Sequence, residues 1–547
     1  MIHHFQEDIS FEGPQGFTDP FRYMPHPLVK VAAEKIIGKI EADSILSDAF
    51  AEGKMLGVLV CKASAENTTR NNNTHTDIVY IAGFSGNVGG RSIIEGFVPP
   101  IYDLTDPEGY FKAEEARISE TSHRIVTLEQ SAEYASLKNQ LAESEAVRDK
   151  ELAEWAERMQ KSKKERAEQR ATTCDADVLA AITKESQFEK AEFRRVKAAW
   201  GKKTAEIQEK INEMDSETES LKRLRAEMSD RLQDWIFRQY IVHNALGEEI
   251  SVADLFASEG LTPPGGTGEC AAPKLLEYAY RHGFQPLAMG EFWYGRSPET
   301  AVRTHGHFYP SCTSKCGPLL GFMLKGLNIH KEGLQKGISP VIIHEDESLI
   351  VVEKPAGMPS VPGLDGRPSL QEWLGERHGE IHAVHRLDMD TSGVMLFAKT
   401  QAAATDLRRQ FEEHSVRKTY LARLSACIKQ LSKGDKGAIY LPLSPDYDER
   451  PRQNVDPKQG QPAITEYEVA DINEDGTIDI VFNPITGRTH QLRVHSAHTL
   501  GLGCPIVGDM LYGGDISTRL HLHAYKIKFR HPSDGKSVCY TGNSKIF

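Results

Sequence analysis

Short apolar runs separated by polar turns fill the chain from residue 338 to its end. The runs LIVVEK, GVMLFAK, AITEYEVAD, IDIVFNP and HLHAYKIKFRHP predict strands, and HQLRVHSAH at 490–498 is interpreted in the same way. Helices are predicted at 369–379, where a glycine ends the pattern, and at 400–414. Many short strands with few helices indicate an α+β domain around a mostly antiparallel sheet.

A different pattern runs from residue 108 to residue 262, a span without proline in which Gly201 is the only glycine between residues 110 and 235. Such a composition favours helix. Near the end of the span, mostly apolar residues recur at steps of four and three, as in a coiled coil: Ile207, Ile211, Met214, Thr218, Leu221, Arg225, Met228, Leu232 and Trp235. The stretch ATTCDAD at 171–177 favours a reversal, so we predict an antiparallel helical coiled-coil hairpin over 108–235. A single longer coiled coil that dimerises is the alternative.

The flanks of this span, residues 1–107 and 236–335, predict an α/β domain. LGVLV and DIVYIAGF are typical of strands, and SVADLFASEG and CAAPKLLEYAYRHGF are typical of helices. An antiparallel hairpin returns the chain close to its start, so we expect the two flanks to form one domain that the hairpin interrupts. Residues 338–547 then form a separate domain, which we expect to fold and act without the rest.

Composition narrows the class of protein. The longest apolar run, MLGVLVC at 55–61, is too short to span a bilayer, and the first ten residues do not resemble a signal peptide. We therefore expect no membrane segment and a cytoplasmic location. The net charge of −13 lies mostly before residue 338 and argues against indiscriminate nucleic-acid binding. RNA binding in the last 210 residues would depend on local basic clusters instead.

Eight scattered cysteines fit reduced thiols better than a disulfide framework. One group of residues has the chemistry of metal ligands: Cys270, His305, His307, Cys312 and Cys316. Two thiolates and two imidazoles would complete a tetrahedral zinc site, but the spacing is not that of paired CxxC knuckles. We therefore interpret these cysteines as ordinary buried thiols and predict no metal, with elemental analysis as the test.

One carboxylate stands out in the second half of the chain. In HRLDMDTSG at 385–393, Asp388 lies between an arginine and a tight Thr-Ser-Gly turn, and the flanking apolar runs place the motif on a loop between strands. An isolated Arg-x-Asp is usually a surface turn. Here EKPAG at 353–357 precedes the motif, and RKTYLAR at 417–423 and PITGRTHQLRVH at 484–495 follow it.

In their order and spacing, these four blocks resemble the RluA family of RNA pseudouridine synthases, over roughly residues 338–547. The resemblance implies the pseudouridine synthase fold, with the catalytic cleft across the face of its sheet, and an isomerase acting on uridine in rRNA and tRNA. Flanking stretches such as RPRQNV and GQPAITEYEV are similar to the dual-specificity RluA type, which modifies 23S rRNA and tRNA. Compact members of the family lack the first 335 residues, so the coiled coil is the expected surface for a ribosome or protein partner.

The resemblance also implies roles for single residues. Asp388 matches the catalytic aspartate, Arg493 the arginine that pairs with it, and Tyr420 the active-site tyrosine whose ring can lie against the flipped uracil. The residues assigned to RNA binding and to support of the pocket are Arg386, Lys354, Arg488, His490 and Gln491. Among these, Arg386 matches the arginine that fills the gap left by the flipped base.

The reaction explains the need for a carboxylate. The N1–C1′ bond of uridine must break and C5 must join C1′ without any change of oxidation state, so we expect no cofactor. The carboxylate acts either as a nucleophile at C1′ or as a base that removes the C2′ proton, and the sequence leaves both routes open. The alternative function is a non-catalytic RNA-binding or ribosome-associated adapter, which would not need Asp388, Tyr420 and Arg493 together.

Overall fold

The computed structural model describes residues 1–5, 14, 16–63, 78–330, 339–363, 367–426, 431–447 and 449–543. The chain forms two compact units, one of residues 104–236 and one that combines residues 1–103 with residues 237–547. The predicted boundary between residues 335 and 338 lies outside the described residues. Within the described part of the chain, no helix combines the length and the apolar character that crossing a bilayer requires.

The first strands and helices of the chain belong to the larger unit. They are β1 (Ile2–His4), β2 (Phe17–Thr18), α1 (Pro27–Glu41), α2 (Ser44–Phe50), β3 (Lys54–Lys62) and β4 (Ile78–Phe84). β3 and β4 are antiparallel neighbours, with Leu59 opposite Ile81. Most residues of both strands are buried, as continuous apolar runs of this length require.

Long helices build the smaller unit: α3 (Tyr110–Glu129), α4 (Ala132–Thr172) and α5 (Ala176–Gln239), the last of which continues into the larger unit. The Ser131 hydroxyl accepts the Tyr134 amide and caps α4, so the first arm consists of two helices rather than one. Polar partners on α4 and α5 follow antiparallel order: Tyr134 with Asp215, Glu151 with Trp200, and Arg166 with Glu189. The break at 173–175 lies within the ATTCDAD stretch.

After α5 the chain continues the larger unit with β5 (Ile241–His243), β6 (Glu249–Ser251), α6 (Val252–Ser258), α7 (Ala271–Arg281), β7 (Gln285–Tyr294), β8 (Phe308–Tyr309), α8 (Gly317–Met323) and β9 (Ile329–His330). β7 pairs antiparallel with β3 in a sheet of order β1-β4-β3-β7-β8. α1 packs with Val58 and Val60 in one apolar core, whereas Gly57 leaves room for Leu275 of α7. Residues before and after the helical unit thus share one sheet.

The C-terminal part contains β10 (Val341–Glu345), β11 (Leu349–Lys354), α9 (Leu370–His378), β12 (His382–Ala383), β13 (Ser392–Ala398), α10 (Gln401–Glu412), β14 (Arg417–Leu424), β15 (Lys436–Tyr440), β16 (Leu443–Pro445), β17 (Gln453–Val455), β18 (Ile464–Ile472), β19 (Ile478–Pro484), α11 (Gln491–Ala497), β20 (Leu522–Arg530) and β21 (Ser537–Thr541). Its main sheet has the order β10-β11-β13-β20-β14-β19-β18-β15. β13 and β20 are parallel neighbours, and the other pairs along this order are antiparallel. The α+β prediction is confirmed.

Our prediction of a strand at HQLRVHSAH is wrong, because residues 491–497 form helix α11. All seven residues of the helix are buried, so the run shows no clear alternation of polar and apolar positions. His490 has a positive φ of 54° and turns the chain directly before the helix.

Gly393 ends the HRLDMDTSG motif where β13 meets β20. Its φ is +120°, and a Cβ at this position would lie 2.3 Å from the carbonyl oxygen of Ala524. Only glycine permits this close approach of the two strands. The glycine of the motif therefore places the loop that precedes β13 against the centre of the sheet.

The apolar core of the C-terminal part includes residues from before residue 338, and independent folding of residues 338–547 stays a prediction. Val302 is buried within the C-terminal apolar core, and Arg452 Nη2 donates to its carbonyl oxygen at 2.7 Å. The Val455 amide donates to Thr300 O at 3.2 Å, and the His498 ring bonds to Glu299 O at 3.1 Å. A segment from before residue 338 therefore completes this core.

Candidate active site

The loop that carries Asp388 is fixed by the turn that follows β11. The Ser360 hydroxyl donates to Leu387 O at 2.6 Å and accepts from Leu387 N at 3.1 Å. On the other side of Asp388, the Gly357 amide donates to Met389 O at 2.8 Å. Because both neighbours are held through their backbones, the position of the carboxylate is set by the fold rather than by contacts of its own side chain.

Lys354 lies beneath this loop and is 0% exposed. Its Nζ donates to the carbonyl oxygens of Pro355, Met358 and Met389 at 2.9, 2.8 and 2.9 Å. Burial lowers the pKa of Lys354 to about 7. Three carbonyl acceptors nevertheless require three N–H donors, which only the charged ammonium has. The protonated form is thus the one that fits the loop, and the negative charge of Asp388 favours it.

Asp388 is half-buried beside three cations. Burial raises the pKa of its carboxyl group, whereas the charges of Arg493, Arg386 and Lys354 lower it. Burial is the larger effect, so the pKa of Asp388 lies above its usual value, and the three charges limit the rise. An ionised and weakly solvated carboxylate is a good nucleophile and a good base, which both chemical routes need.

Tyr420 lies on β14 at an irregularity of the sheet. The register against β20 shifts between Thr419 and Tyr420, and the Tyr420 ring packs against two separate apolar clusters of the C-terminal part. Register shifts of this kind redirect a side chain. Burial, together with the charge of Asp388, raises the pKa of Tyr420 and keeps its phenol protonated.

Arg493 on α11 is paired with an aspartate that the sequence analysis missed. Its Nε and Nη2 donate to the Oδ2 and Oδ1 atoms of Asp509 at 2.8 and 2.6 Å. Asp509 is 0% exposed and also accepts the amides of Leu511 and Tyr512 at 3.1 and 3.2 Å. The resemblance assigned Arg493 to Asp388 as its pair. Asp509 is the bidentate partner instead, and Arg493 acts on Asp388 through its charge.

Tyr512 connects this pair to the N-terminal part of the larger unit. The guanidinium groups of Arg493 and Arg452 lie 5.2 and 5.1 Å from the centre of the Tyr512 ring. Arg452 also lies 5.6 Å from the ring centre of Tyr309 on β8. The Tyr512 hydroxyl bonds to His490 Nδ1 at 2.9 Å. A continuous row of stacked groups thus runs from β8 to Arg493.

A cleft of about 1350 Å³ adjoins these residues. Its lining includes Met389, Asp390 and Arg493 of the C-terminal part and Arg22 and Cys312 of the N-terminal part. Asp390 follows Asp388 by two residues, and its Oδ1 accepts a hydrogen bond from Arg22 Nη2 at 3.0 Å. The volume exceeds the roughly 300–1000 Å³ of a small-molecule pocket.

The residues that we assigned to RNA binding divide into two groups. Arg386 and Arg488 are exposed at the surface. Lys354, His490 and Gln491 are buried. The Gln491 amide, for example, bonds to neighbouring side-chain and backbone groups at 2.7 and 2.9 Å. Their burial leaves little side-chain surface for a direct contact with RNA and fits the support of the pocket that we expected of Lys354.

The cysteines and histidines that we considered as metal ligands do not form one group. The Sγ atoms of Cys270, Cys312 and Cys316 all lie within 4.8 Å of one another. His305 lies outside this cluster and accepts the Gly295 amide at 3.1 Å through Nδ1. His307 is likewise not part of the cluster among the described residues. The free thiols include these three cysteines, whereas Cys504 is disulfide-bonded.

Part of the chain, including the loop of Asp388, Tyr420 and Arg493, is similar to known proteins. The sequence model of the RNA pseudouridylate synthase family matches residues 348–498. The chain is 41% identical over 206 residues to the dual-specificity RNA pseudouridine synthase RluA of Escherichia coli (strain K12), which is 37% of this chain and 91% of that protein. The protein of the same name from Yersinia pestis is 40% identical over 201 residues, 36% of this chain and 94% of its own length.

Among solved structures, human RNA pseudouridylate synthase domain containing 1 is similar at 28% identity. The match covers 39% of this chain and 86% of the human chain, with a TM-score of 0.33.

Proposed function

We propose, on the premise that this chain belongs to the RluA family of RNA pseudouridine synthases, that Asp388 is its catalytic carboxylate. Membership of the family makes the chain an isomerase that converts uridine in RNA into pseudouridine. The observation that carries the assignment of Asp388 is its charge environment. Burial raises its pKa while Arg493, Arg386 and Lys354 favour the ionised form, as a nucleophile or base at C1′ or C2′ requires.

Tyr420 and Arg493 complete the proposed catalytic set. The Tyr420 ring would hold the flipped uracil while the base is detached, and its hydroxyl, which burial keeps protonated, would donate a hydrogen bond. The proton that C5 loses after it bonds to C1′ would pass to water. Arg493, anchored by Asp509, keeps a positive charge near Asp388 throughout the reaction. No oxidation state changes, so we propose that the chain works without a cofactor.

The proposed RNA contacts are made by the exposed residues of the site. Arg386 precedes Asp388 by two residues and would occupy the position of the flipped base. Arg488 lies at the surface before α11 and would contact phosphate. Lys354, His490 and Gln491 would support the catalytic loop and α11 from behind, as their burial suggests.

The substrate we propose is structured RNA of the kinds that the RluA type modifies, namely 23S rRNA and tRNA. The support is the 41% identity to a protein named as a dual-specificity RNA pseudouridine synthase. We propose the cytoplasm as the compartment, since both RNAs occur there. The helical unit of residues 108–235 would act as a separate arm for a ribosome or protein partner, between the two halves of an interrupted N-terminal domain.

The test uses RNA labelled with tritium at C5 of uridine, because formation of the C5–C1′ bond releases that atom into water. Full-length wild-type protein is expected to release tritium from rRNA or tRNA transcripts. Asp388→Asn keeps the shape of the side chain and removes the ionised oxygen, so it should release none. Asp479→Asn, which changes an aspartate paired with Arg423 on the neighbouring strands, is the matched control and should retain activity.

An active Asp388→Asn variant would contradict the assignment of the catalytic carboxylate. Binding of RNA without release by the wild type, on both RNA classes, would favour the adapter function instead.

A further inference from the structure

Three thiols that uridine isomerisation does not use meet at one wall of the cleft. Cys270 directly precedes α7, and Cys312 and Cys316 lie in the turn before α8. Their Sγ atoms are all within 4.8 Å of one another. The two segments are far apart in sequence, so the tertiary fold brings the three sulfur atoms to one point.

The spacing of the sulfur atoms suits a single metal ion. Zinc binds thiolates at about 2.3 Å in tetrahedral geometry, which separates the sulfur atoms by roughly 3.8 Å. Small side-chain rotations would bring three atoms that are within 4.8 Å of one another to that separation. A polynuclear iron–sulfur cluster needs thiolates further apart, because the cluster itself occupies the centre. The geometry therefore favours a mononuclear site.

Hydrogen-bond donors and a positive charge lie next to the three cysteines, as the negative charge of thiolates requires. The backbone amides of Lys315 and Cys316 hydrogen-bond to the Cys312 sulfur, as outer partners of metal-bound thiolates do. Lys274, one turn into α7, is 3% exposed, and its charge interacts with Cys270. Three thiolates and one Zn²⁺ carry a net charge of −1, which a buried ammonium group offsets.

The cluster faces the cleft rather than an apolar core. All three cysteines line the cleft together with Glu291 and Ser311. The Glu291 carboxylate is buried and is held by the Ser311 hydroxyl and the Ala272 amide. Buried thiols that only fill space pack among apolar side chains, whereas these are surrounded by polar groups and open onto a cavity.

We propose that Cys270, Cys312 and Cys316 bind one zinc ion through three thiolates, with the fourth coordination position facing the cleft. The ion ties the turn before α8 to the start of α7. Thr313 in this turn donates to the carbonyl oxygen of Arg450 at 2.8 Å. Zinc thereby fixes the wall of the cleft that contacts the C-terminal part, while the isomerisation itself proceeds on Asp388.

The first test measures metal in the full-length protein, purified under reducing conditions, by elemental analysis. We expect about one zinc per chain. Cys312→Ser should lose it, because serine is a poor ligand for zinc, and circular dichroism would verify that this variant folds. Cys539→Ser changes an exposed free thiol far along the chain and is the matched control, which should keep the zinc.

A second test removes the metal and adds Co²⁺, whose thiolate complexes show intense charge-transfer absorption in the near ultraviolet. One equivalent of Co²⁺ should produce this absorption in the wild type and in Cys539→Ser, and Zn²⁺ should abolish it. Absence of the absorption in the wild type, or the same absorption in Cys312→Ser, would overturn the proposal. Stoichiometric iron or copper in place of zinc would also overturn it. So would a disulfide among the three cysteines in the protein that was purified under reducing conditions.

Discussion

Asp509→Asn removes the negative partner of Arg493 and nearly preserves the volume of the side chain. Asp509 is 0% exposed, and the Arg493 side chain is 5% exposed, so little water reaches either group. Removing one partner of a buried ion pair costs about 3–5 kcal/mol. We therefore expect the free energy of unfolding to fall by roughly that amount, a large fraction of the about 5–15 kcal/mol of a typical domain.

The same change should alter the active site. Without the Asp509 charge, the positive charge of Arg493 is no longer compensated and acts more strongly on Asp388. The pKa of Asp388 should then fall, because a stronger positive charge nearby favours the ionised carboxylate. Since we propose that the ionised carboxylate is the active form, the acidic limb of the rate profile should move to lower pH.

Asp479→Asn is the control for both measurements. Asp479 forms the same bidentate pair with Arg423, at 2.7 and 2.9 Å, but about a quarter to a third of each side chain is exposed. Urea denaturation should show a loss of about 1 kcal/mol or less for this variant, and single-turnover rates should follow the wild-type pH profile. An Asp509→Asn protein as stable as the Asp479→Asn protein, with an unshifted acidic limb, would refute the reasoning.

Three further predictions follow from buried groups. Lys354→Met leaves three buried carbonyl oxygens without donors and should cost roughly 3 kcal/mol; kcat should fall more than KM changes, and an unchanged kcat would contradict the role of Lys354 in holding the loop. Burial lowers the pKa of four histidines to about 3 or 4: His385, His495, His521 and His523. In the unfolded protein these histidines take up protons below about pH 6.5, whereas in the folded protein they stay neutral at pH 5. Lowering the pH from 7 to 5 should therefore reduce the free energy of unfolding by ~2 kcal/mol per histidine. A melting temperature that is equal at pH 7 and pH 5 would exclude this. A fragment of residues 339–543 lacks Val302 and the other partners of its core, so its melting temperature should be lower than that of the full-length protein. An equal melting temperature would support our expectation that this part of the chain folds without the rest.

The catalytic motif was predictable because its information is local. Asp388, its glycine and the preceding EKPAG block are contiguous stretches whose order and spacing identify the family. Asp509 was not predictable in the same way, because its role depends on meeting Arg493 inside the core. The only local signal is a charged residue between apolar neighbours in PIVGDMLYGG.

The sequence also did not show which side chains of the motifs point to solvent and which point to the interior. Lys354, His490 and Gln491 have the chemistry of RNA-binding residues, but their side chains are buried. Charge and polarity in a motif do not reveal whether a side chain points to solvent or to the scaffold. The helix α11 was missed for a related reason, since a short and completely buried run carries neither the strand nor the helix periodicity.

We propose above all that this protein isomerises uridine in cellular RNA and uses Asp388 as its catalytic carboxylate. The most direct measurement maps pseudouridine by chemical-adduct sequencing of rRNA and tRNA from cells with the wild-type protein and from cells with Asp388→Asn. At least one modified position is expected to be present with the wild type and lost in the variant. Identical maps of both RNA classes in the two strains would contradict it.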